Sequence, residues 1–256
     1  NDSGEKEVSK VFAPQIQPDG YISEPDFKEM RALGMNDPKE FERLKGLSTE
    51  ELLKEYVDDC VPAHRKPTLI VIDDFYTNPD AMRDYALSKD YVGRGYHGAV
   101  GNRTNENHHP KGIRKYFEDL LGKKICDGKE LGGWDYATNG VFQHCMAEDP
   151  FVIHCDDQEL AAIIYLTPDA PVECGTTLYQ HKETKQNAVR DGDWSVFKGN
   201  FYDKTPFEEV DRVGNRYNRM ILMDGRAIHA ATQYFGDNIN NDRLFHIFFF
   251  STEEQQ

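Results

Sequence analysis

Cysteines are few in this chain, and they are scattered. The 256 residues contain five cysteines, and no two have the Cys-x-x-Cys spacing of zinc-binding or redox motifs. An odd, dispersed set of this kind favours a reduced, cytoplasmic setting. The first residue is Asn1 rather than Met, which leaves room for a trimmed upstream segment, although nothing in the sequence calls for a signal peptide.

Long apolar runs and concentrated positive charge are also missing. No apolar stretch approaches the roughly 18 residues of a transmembrane helix. The 45 acidic residues outnumber the 30 lysines and arginines, and the net charge is −15. So acidic a surface repels phosphate backbones, and the sequence has no basic patch to offset it. We therefore expect a small-molecule or peptide substrate, neutral or cationic in charge, with neither a nucleic-acid nor a membrane partner.

Several common catalytic motifs are absent as well. The sequence has no Gly-rich phosphate loop, no G-x-S-x-G nucleophile turn and no Cys/His nucleophile pair. Hydrophobic residues at 38% and aromatic residues at 12% are nevertheless sufficient for a core. Candidate functional residues must therefore be sought among other polar side chains, in particular those next to apolar segments.

The N-terminal part of the chain differs in character from the rest. Residues 1–66 are charged and rich in turn formers. Ser48 followed by Glu51 is a typical helix-start signal. These features predict a helical, partly flexible N-terminal extension.

The main domain, residues 67–251, is predicted to be mainly β with flanking helices, and a tail follows at 252–256. It opens with a strand at Pro67–Phe75 and a helix from Asn78–Pro79 to about Ser88. Short strands separated by Gly, Pro and Asp turns then predict an antiparallel sandwich or jelly roll. The candidate strands in that part are Gly140–Cys145, Val152–Asp156, Leu160–Leu166, Gly175–Gln180, Arg219–Asp224, Ala227–His229 and Arg243–Ser251.

A long polar segment interrupts this β pattern. Residues 182–217 are dotted with aromatic side chains such as Trp194 but show no regular alternation. Loops of this length in a compact domain are often functional. We therefore expect an insertion or lid here, with Trp194 either capping a site or packing the segment down.

The tripeptide His154-Cys155-Asp156 has the spacing of a metal-ligand pair. Side chains at i and i+2 of an extended segment point to the same side of a strand. His229, on a distant strand, would complete a set of two imidazoles and one carboxylate, which suits non-haem Fe(II) because it leaves coordination sites open. Asp157 points to the opposite face. The alternative is a hydrogen-bonded His–Asp pair at a strand end.

Arg243 stands at the head of a strand that is apolar on both faces. By alternation it shares a face with Phe245 and the apolar residues that follow. A buried guanidinium needs a partner, and a planar carboxylate binds it in a bidentate manner. A bound acid would satisfy it, and so would an internal ion pair or contact with water.

Residues Val141 to Phe250 resemble the Fe(II)/2-oxoglutarate-dependent dioxygenases, specifically the prolyl-4-hydroxylase-like branch. The residues that carry the resemblance occur in the family's order: His154 and Asp156, Ile163-Ile164-Tyr165-Leu166, Gly175-Thr176-Thr177-Leu178-Tyr179, Leu222-Met223-Asp224-Gly225, His229 and Arg243. The chain departs from the family's G-G-x-T-x-F strand in having Cys174 at the first glycine and Tyr179 at the phenylalanine. These departures affect the expected substrate wall rather than the metal ligands.

The resemblance implies a fold, a cofactor set and roles for individual residues. The fold would be a double-stranded β-helix, a jelly-roll core of cupin type, with helices on one side. Fe(II) would be held by His154, Asp156 and His229, and the cosubstrates would be 2-oxoglutarate and O2, with ascorbate as reductant. Among further residues, Arg243 would bind the distal carboxylate of 2-oxoglutarate, and Tyr165 and Thr177 would also contact this cosubstrate.

The expected reaction is hydroxylation of an amino-acid or peptidyl, proline-like side chain, with release of succinate and CO2. Retention of the Asp156 carboxylate favours hydroxylation over halogenation, since halogenating relatives have a small residue there. Two alternatives use the same three ligands: a non-redox, cupin-like module that binds a metal or a ligand, and a zinc hydrolase.

A few polar residues outside the motifs are weaker candidates. Arg103 could meet an anionic substrate group from its loop, and His97, His108 and His109 could line the entrance. Two histidines are expected to be structural instead, namely His144 and His246.

Overall fold

The computed structural model describes residues 67–93, 100–190 and 192–253, together with Ser48 and Glu51. Most of the N-terminal extension predicted for residues 1–66 therefore lies outside the described residues. Within it, the Glu51 amide donates to Ser48 Oγ at 3.2 Å, and the Ser48 amide donates to the Glu51 carboxylate at 2.8 Å. This reciprocal pair is the capping box that the sequence indicated.

Two antiparallel sheets form the body of the described chain. A seven-stranded sheet has the order β1-β8-β5-β10-β4-β3-β2, and a three-stranded sheet has the order β7-β6-β9. The strands are β1 (Leu69–Ile72), β2 (Tyr91–Val92), β3 (Asn102–Thr104), β4 (Val141–Cys145), β5 (Leu160–Tyr165), β6 (Thr176–His181), β7 (Phe207–Val213), β8 (Met220–Asp224), β9 (His229–Ala231) and β10 (Arg243–Phe250).

Two α-helices cover the outer face of the larger sheet. They are α1 (Pro79–Leu87) and α2 (Ile113–Leu121). Helix α1 begins where the sequence predicted, because Asn78 Oδ1 accepts the Ala81 amide at 3.1 Å and proline occupies the first turn. Ala86 of α1 and Phe117 of α2 pack into one core with Phe248 and other sheet residues. The predicted mainly β architecture with few helices is therefore confirmed.

Strand β10 is apolar on both faces because it is buried on both sides. Phe248 and Phe250 belong to the core beneath the helices, whereas Phe245, Ile247 and Phe249 belong to a second core. That second core also contains Leu178 and Val213 of the smaller sheet, so it lies between the two sheets. Arg243 lies two residues before Phe245, so it is the first residue of β10 on the inner face of the strand.

From β4 onward the chain alternates between the two sheets. After β4 in the larger sheet, His154 forms an antiparallel bridge to His229, the first residue of β9, and the chain then returns to the larger sheet as β5. Strands β6 and β7 belong to the smaller sheet, β8 to the larger, β9 to the smaller and β10 to the larger. This alternation brings segments far apart in sequence to one end of the inner space.

The segment expected to be an insertion or lid, residues 182–217, contains strand β7 and a short 3-10 helix at Trp194–Phe197. Two other parts of the sequence prediction need correction. The strand predicted at Val152–Asp156 is reduced to the single bridge at His154. The segment of Arg103, predicted as a loop, is the short strand β3 instead. No helix within the described ranges is long and apolar enough to span a membrane.

Candidate metal centre

His154, Asp156 and His229 meet at the open end of the inner space. Their ligand atoms lie within 4.8 Å of one another. His154 Nε2 is 3.7 Å from Asp156 Oδ1, and His229 Nε2 is 3.6 Å from Asp156 Oδ2. The three side chains that the sequence predicted as ligands are thus brought together.

Local backbone pairing explains this convergence. The His154 amide donates to the His229 carbonyl at 2.9 Å, and the His229 amide donates to the His154 carbonyl at 2.7 Å. Directly opposed residues of an antiparallel pair project their side chains to the same face. Asp156 follows two residues later, where its amide donates to Gly225 O at 2.7 Å. A Cβ at Gly225 would come within 2.5 Å of Gln158 O, so only glycine allows this close approach.

Both imidazoles are oriented by backbone carbonyl groups. His154 Nδ1 lies 3.2 Å from Val152 O, and His229 Nδ1 lies 2.8 Å from Ala227 O. A carbonyl oxygen only accepts hydrogen bonds, so each Nδ1 carries the proton and each Nε2 presents a lone pair. Burial, aided by the neighbouring His229, lowers the pKa of His154 to about 4 and keeps this imidazole neutral near pH 7.

The Asp156 carboxylate needs a cation. Its Oδ2 atom is buried and has no hydrogen-bond partner among the described residues. An unpartnered buried carboxylate oxygen is costly, and a bound cation removes that cost. Two imidazoles and one carboxylate form a donor set that suits a divalent first-row metal ion and leaves coordination sites open. The residues present therefore fit such an ion.

A cavity of about 720 Å³ contains these three residues and Arg243. Arg243 is only 3% exposed. Its Nη2 lies 3.4 Å from both Gly175 O and Thr176 Oγ1, its Nε is buried without a partner, and no carboxylate of the described residues lies within ion-pair distance. The guanidinium lies 4.6 Å from the Phe245 ring centroid. Neither the internal ion pair nor the contact with bulk water considered from sequence is present within the described chain.

Tyr165 and Thr177 are placed differently with respect to this guanidinium. Tyr165 is fully buried, its hydroxyl lies 2.8 Å from Thr176 Oγ1, and its ring centroid lies 5.3 Å from the Arg243 guanidinium. Thr177 Oγ1 instead bonds Thr232 Oγ1 at 2.7 Å, outside the cavity lining. Because successive strand residues point to opposite faces, Thr176 rather than Thr177 lies beside Arg243. The contact between Thr177 and the cosubstrate stays a prediction, although the geometry favours Thr176.

Other residues named from sequence divide between wall and core. Arg103 lines the cavity, whereas His108 and His109 do not. The ring of His108 stacks 4.9 Å from Phe142, and that of His109 lies 4.7 Å from Trp134, so both pack in the structure rather than line an entrance. His97 lies outside the described residues.

The two histidines expected to be structural are so. His144 Nδ1 bonds the buried Asp242 carboxylate at 2.5 Å. His246 contacts the Tyr76 hydroxyl at 2.8 Å and a backbone carbonyl at 3.2 Å. Trp194 packs against Phe197 with centroids 6.1 Å apart and does not line the cavity.

Several cavity residues escaped the sequence reasoning. Thr176 and Gln143 lie on strands that the sequence predicts. The sequence alone does not show which residues of these strands face the cavity. Phe201 and Tyr202 line the cavity from the segment predicted as a lid. Their aromatic character within a polar segment was the available signal.

No protein-family model and no curated protein sequence matches this chain. Solved structures similar to it include HygX from Streptomyces hygroscopicus with nickel, 2-oxoglutarate and hygromycin B bound, at 12% identity and a TM-score of 0.44 over 79% of this chain and 86% of that one. A prolyl hydroxylase from Trichoplax adhaerens, in complex with a hypoxia inducible factor peptide, is 11% identical with a TM-score of 0.41 over 80% and 94%. A Pseudomonas putida prolyl-4-hydroxylase is 12% identical with a TM-score of 0.35 over 78% and 98%. Because these values are low, the functional assignment depends on the geometry of the chain's own cavity.

Proposed function

We propose that this chain is an Fe(II)- and 2-oxoglutarate-dependent oxygenase that hydroxylates an amino-acid or peptidyl side chain, with release of succinate and CO2. One observation carries the proposal. A set of two imidazoles and one carboxylate shares a cavity with Arg243, whose buried guanidinium has no carboxylate partner among the described residues. A metal and a diacid together satisfy both features.

The strand order supports a double-stranded β-helix as the scaffold. In the larger sheet β8, β5, β10 and β4 are neighbours, and in the smaller sheet β7, β6 and β9 are neighbours, with the His154 bridge beside β9. Consecutive strands thus wind between two facing sheets, as in jelly rolls. Such a scaffold places the ligand residues at the open end of the core.

His154, Asp156 and His229 would hold the iron. A ferrous ion bound there would supply the activation of dioxygen and the oxidation of a substrate C–H bond. The protein contributes preorganisation. Val152 O and Ala227 O hold the two imidazoles in the tautomer whose Nε2 faces the centre. The Asp156 carboxylate contributes the negative charge.

Arg243 would bind the distal carboxylate of 2-oxoglutarate. The guanidinium is shielded from bulk water, which strengthens its attraction for an anion. Thr176 lies beside it and is held by the Tyr165 hydroxyl, so these two residues position the binding groups. The cavity that Arg243 lines is also lined by His154, Asp156 and His229, so one diacid would be able to reach both the guanidinium and the metal site.

The alternatives are distinguished by the reaction they permit. A cupin-like binding module uses the three ligands but leaves the buried guanidinium without a role, and a zinc hydrolase needs no oxidant.

The test incubates the purified chain with Fe(II), 2-oxoglutarate and air and measures succinate. We expect release that stops without oxygen or when Zn(II) replaces Fe(II). Absence of succinate with Fe(II), or hydrolysis supported by Zn(II) without oxygen, would contradict the proposal.

A further inference from the structure

A second arginine lines the cavity, and it is held by a buried amide. Arg103 of β3 pairs with Gln143 of β4. Its Nε donates to Gln143 Oε1 at 2.7 Å, while Gln143 Nε2 donates to Val100 O at 2.6 Å. Gln143 is 6% exposed, so its orientation is fixed. The guanidinium is therefore oriented through Nε, and its two terminal nitrogens have no hydrogen-bond partner among the described residues.

Arg103 and Arg243 lie on the same sheet face but at separate positions. Gln143 pairs with Arg103 on one side and with Phe245 on the other, so all three share the inner face with Arg243. The Arg243 guanidinium lies over the Phe245 ring, whereas that of Arg103 lies 5.7 Å from the centroid of Phe249. These two phenylalanines are about 13 Å apart along β10 at the usual rise per strand residue. The two cations therefore define two anion positions.

No carboxylate of the described chain neutralises Arg103 at ion-pair distance. Of the acidic residues in the cavity wall, Asp149 accepts the Met146 amide at 2.7 Å, Asp157 lies 3.8 Å from Arg226, and Asp156 belongs to the metal site. Asp156 acts on Arg103 only through the longer-range electrostatic field, and burial lowers the pKa of Arg103. A poorly hydrated guanidinium with free donors binds carboxylates in bidentate fashion.

We propose that Arg103 binds a carboxylate of the substrate, so that the substrate is a free amino acid or a related small carboxylic acid. This inference rests on the proposed function, since it takes Arg243 as the site of 2-oxoglutarate. A free amino acid carries no net charge near pH 7, so it also agrees with the neutral or cationic substrate expected from the net charge of the chain. The local charge of the cavity, rather than that of the whole surface, selects the bound group.

Calorimetric titration of the chain loaded with Ni(II) and 2-oxoglutarate tests this assignment without turnover. The probes are L-proline, L-leucine and L-phenylalanine, each compared with its primary amide. At least one acid is expected to bind about tenfold or more tightly than its amide, as charge-assisted hydrogen bonds allow. Arg103→Gln should remove the difference, and Arg103→Lys should retain part of it. The control is Arg212→Gln, which alters an exposed arginine that pairs with Glu209 outside the cavity.

Four outcomes would overturn the assignment, the first three of which concern the amino acids. These are equal binding of every acid and its amide, no binding of any acid, and an unchanged preference in Arg103→Gln. A fourth is a loss of 2-oxoglutarate affinity in Arg103→Gln as large as that in Arg243→Gln, because Arg103 would then bind the cosubstrate. Failure of the parent chain to bind 2-oxoglutarate would instead contradict the proposed function, and the same probes titrated with Ni(II) alone would still test Arg103.

Discussion

His154 and His229 lie directly opposite each other across an antiparallel bridge, with their imidazole centroids 4.4 Å apart. The two backbone hydrogen bonds between them hold the two residues opposite each other, with both side chains on the same face. The site is therefore preorganised by strand pairing. The third residue of the site is Asp156, and the negative charge of its carboxylate is not compensated. One of its oxygens is buried and has no hydrogen-bond partner in the described chain.

Replacing the Asp156 carboxylate should separate metal binding from folding. We expect Asp156→Ala to weaken Fe(II) binding by more than the roughly 10- to 100-fold that loss of an outer-shell partner costs, and to abolish succinate release. The metal-free variant should be at least as stable as the parent, since an unpartnered buried carboxylate oxygen is removed. Metal titration and urea unfolding measure the two effects.

The control for that substitution is its neighbour. Asp157→Ala removes a carboxylate that is 60% exposed and lies 3.8 Å from Arg226. It should bind Fe(II) as the parent does. Equal loss of metal affinity in both variants would show that the negative charge around the site, rather than coordination by Asp156, controls metal binding.

Removing the Arg243 guanidinium should affect the cosubstrate and spare the metal. We expect Arg243→Gln to raise the dissociation constant of 2-oxoglutarate about 10- to 100-fold, the loss typical of a charged hydrogen bond. Fe(II) affinity should stay near that of the parent chain. Calorimetry with each ligand checks both statements, and an unchanged 2-oxoglutarate constant would show that the diacid binds elsewhere.

Adjacent threonines provide a matched pair for the cosubstrate pocket. Thr176 Oγ1 lies between the Tyr165 hydroxyl and Arg243, while Thr177 Oγ1 bonds Thr232. Thr176→Val should weaken 2-oxoglutarate binding about 2- to 10-fold, as loss of a neutral hydrogen bond does. Thr177→Val should leave that affinity unchanged. The reverse order in a titration would restore the assignment made from sequence.

The three residues of the candidate metal centre could be predicted because their spacing is local in sequence and their setting is apolar. His154 and Asp156 have strand spacing, and His229 is the first residue of the largely buried strand β9. Arg243 was predictable for a similar reason, since a cation at the head of a strand that is apolar on both faces must be buried there. Such residues contrast sharply with their surroundings, and that contrast is visible without a structure.

The remaining parts of the site depend on pairings that the sequence does not display. Strand β7 is polar because its central residues face solvent, so it shows no hydrophobic alternation. Thr176 and Thr177 are chemically identical neighbours, and only the strand parity seen in the structure separates them. Arg103 lies on β3, a strand of only three residues. The position of this strand in the sheet depends on its pairing with β4, where Arg103 lies opposite Gln143.

An ion pair between Arg219, just before β8, and Asp73, just after β1, should give a specific pH signature. Arg219 Nε donates to Asp73 Oδ1 at 2.7 Å, and this contact chiefly holds the pKa of Asp73 below its ordinary value. The pair therefore stabilises the fold above the unfolded pKa of about 3.8, and the stability is lost as pH falls through the lower folded pKa.

We expect Asp73→Asn to lower the free energy of unfolding by about 1 kcal/mol at pH 7, a value suited to a partly exposed pair. The difference from the parent should stay constant down to about pH 4 and shrink below it, as the ordinary pKa of aspartate requires. Urea unfolding across pH measures this, with Asp74→Asn as control because Asp74 takes no part in the pair. A difference that grows as the pH falls below 4 would have the wrong sign for this linkage.

The central claim is that three side chains share one metal ion while Arg243 holds a diacid in the same cavity. Anomalous diffraction from crystals grown with Mn(II) and 2-oxoglutarate tests it most directly. The account predicts a single strong peak in bonding contact with Nε2 of His154, Nε2 of His229 and the Asp156 carboxylate, with one carboxylate of 2-oxoglutarate against Arg243. A peak at any other site, or a diacid bound away from Arg243, would contradict it.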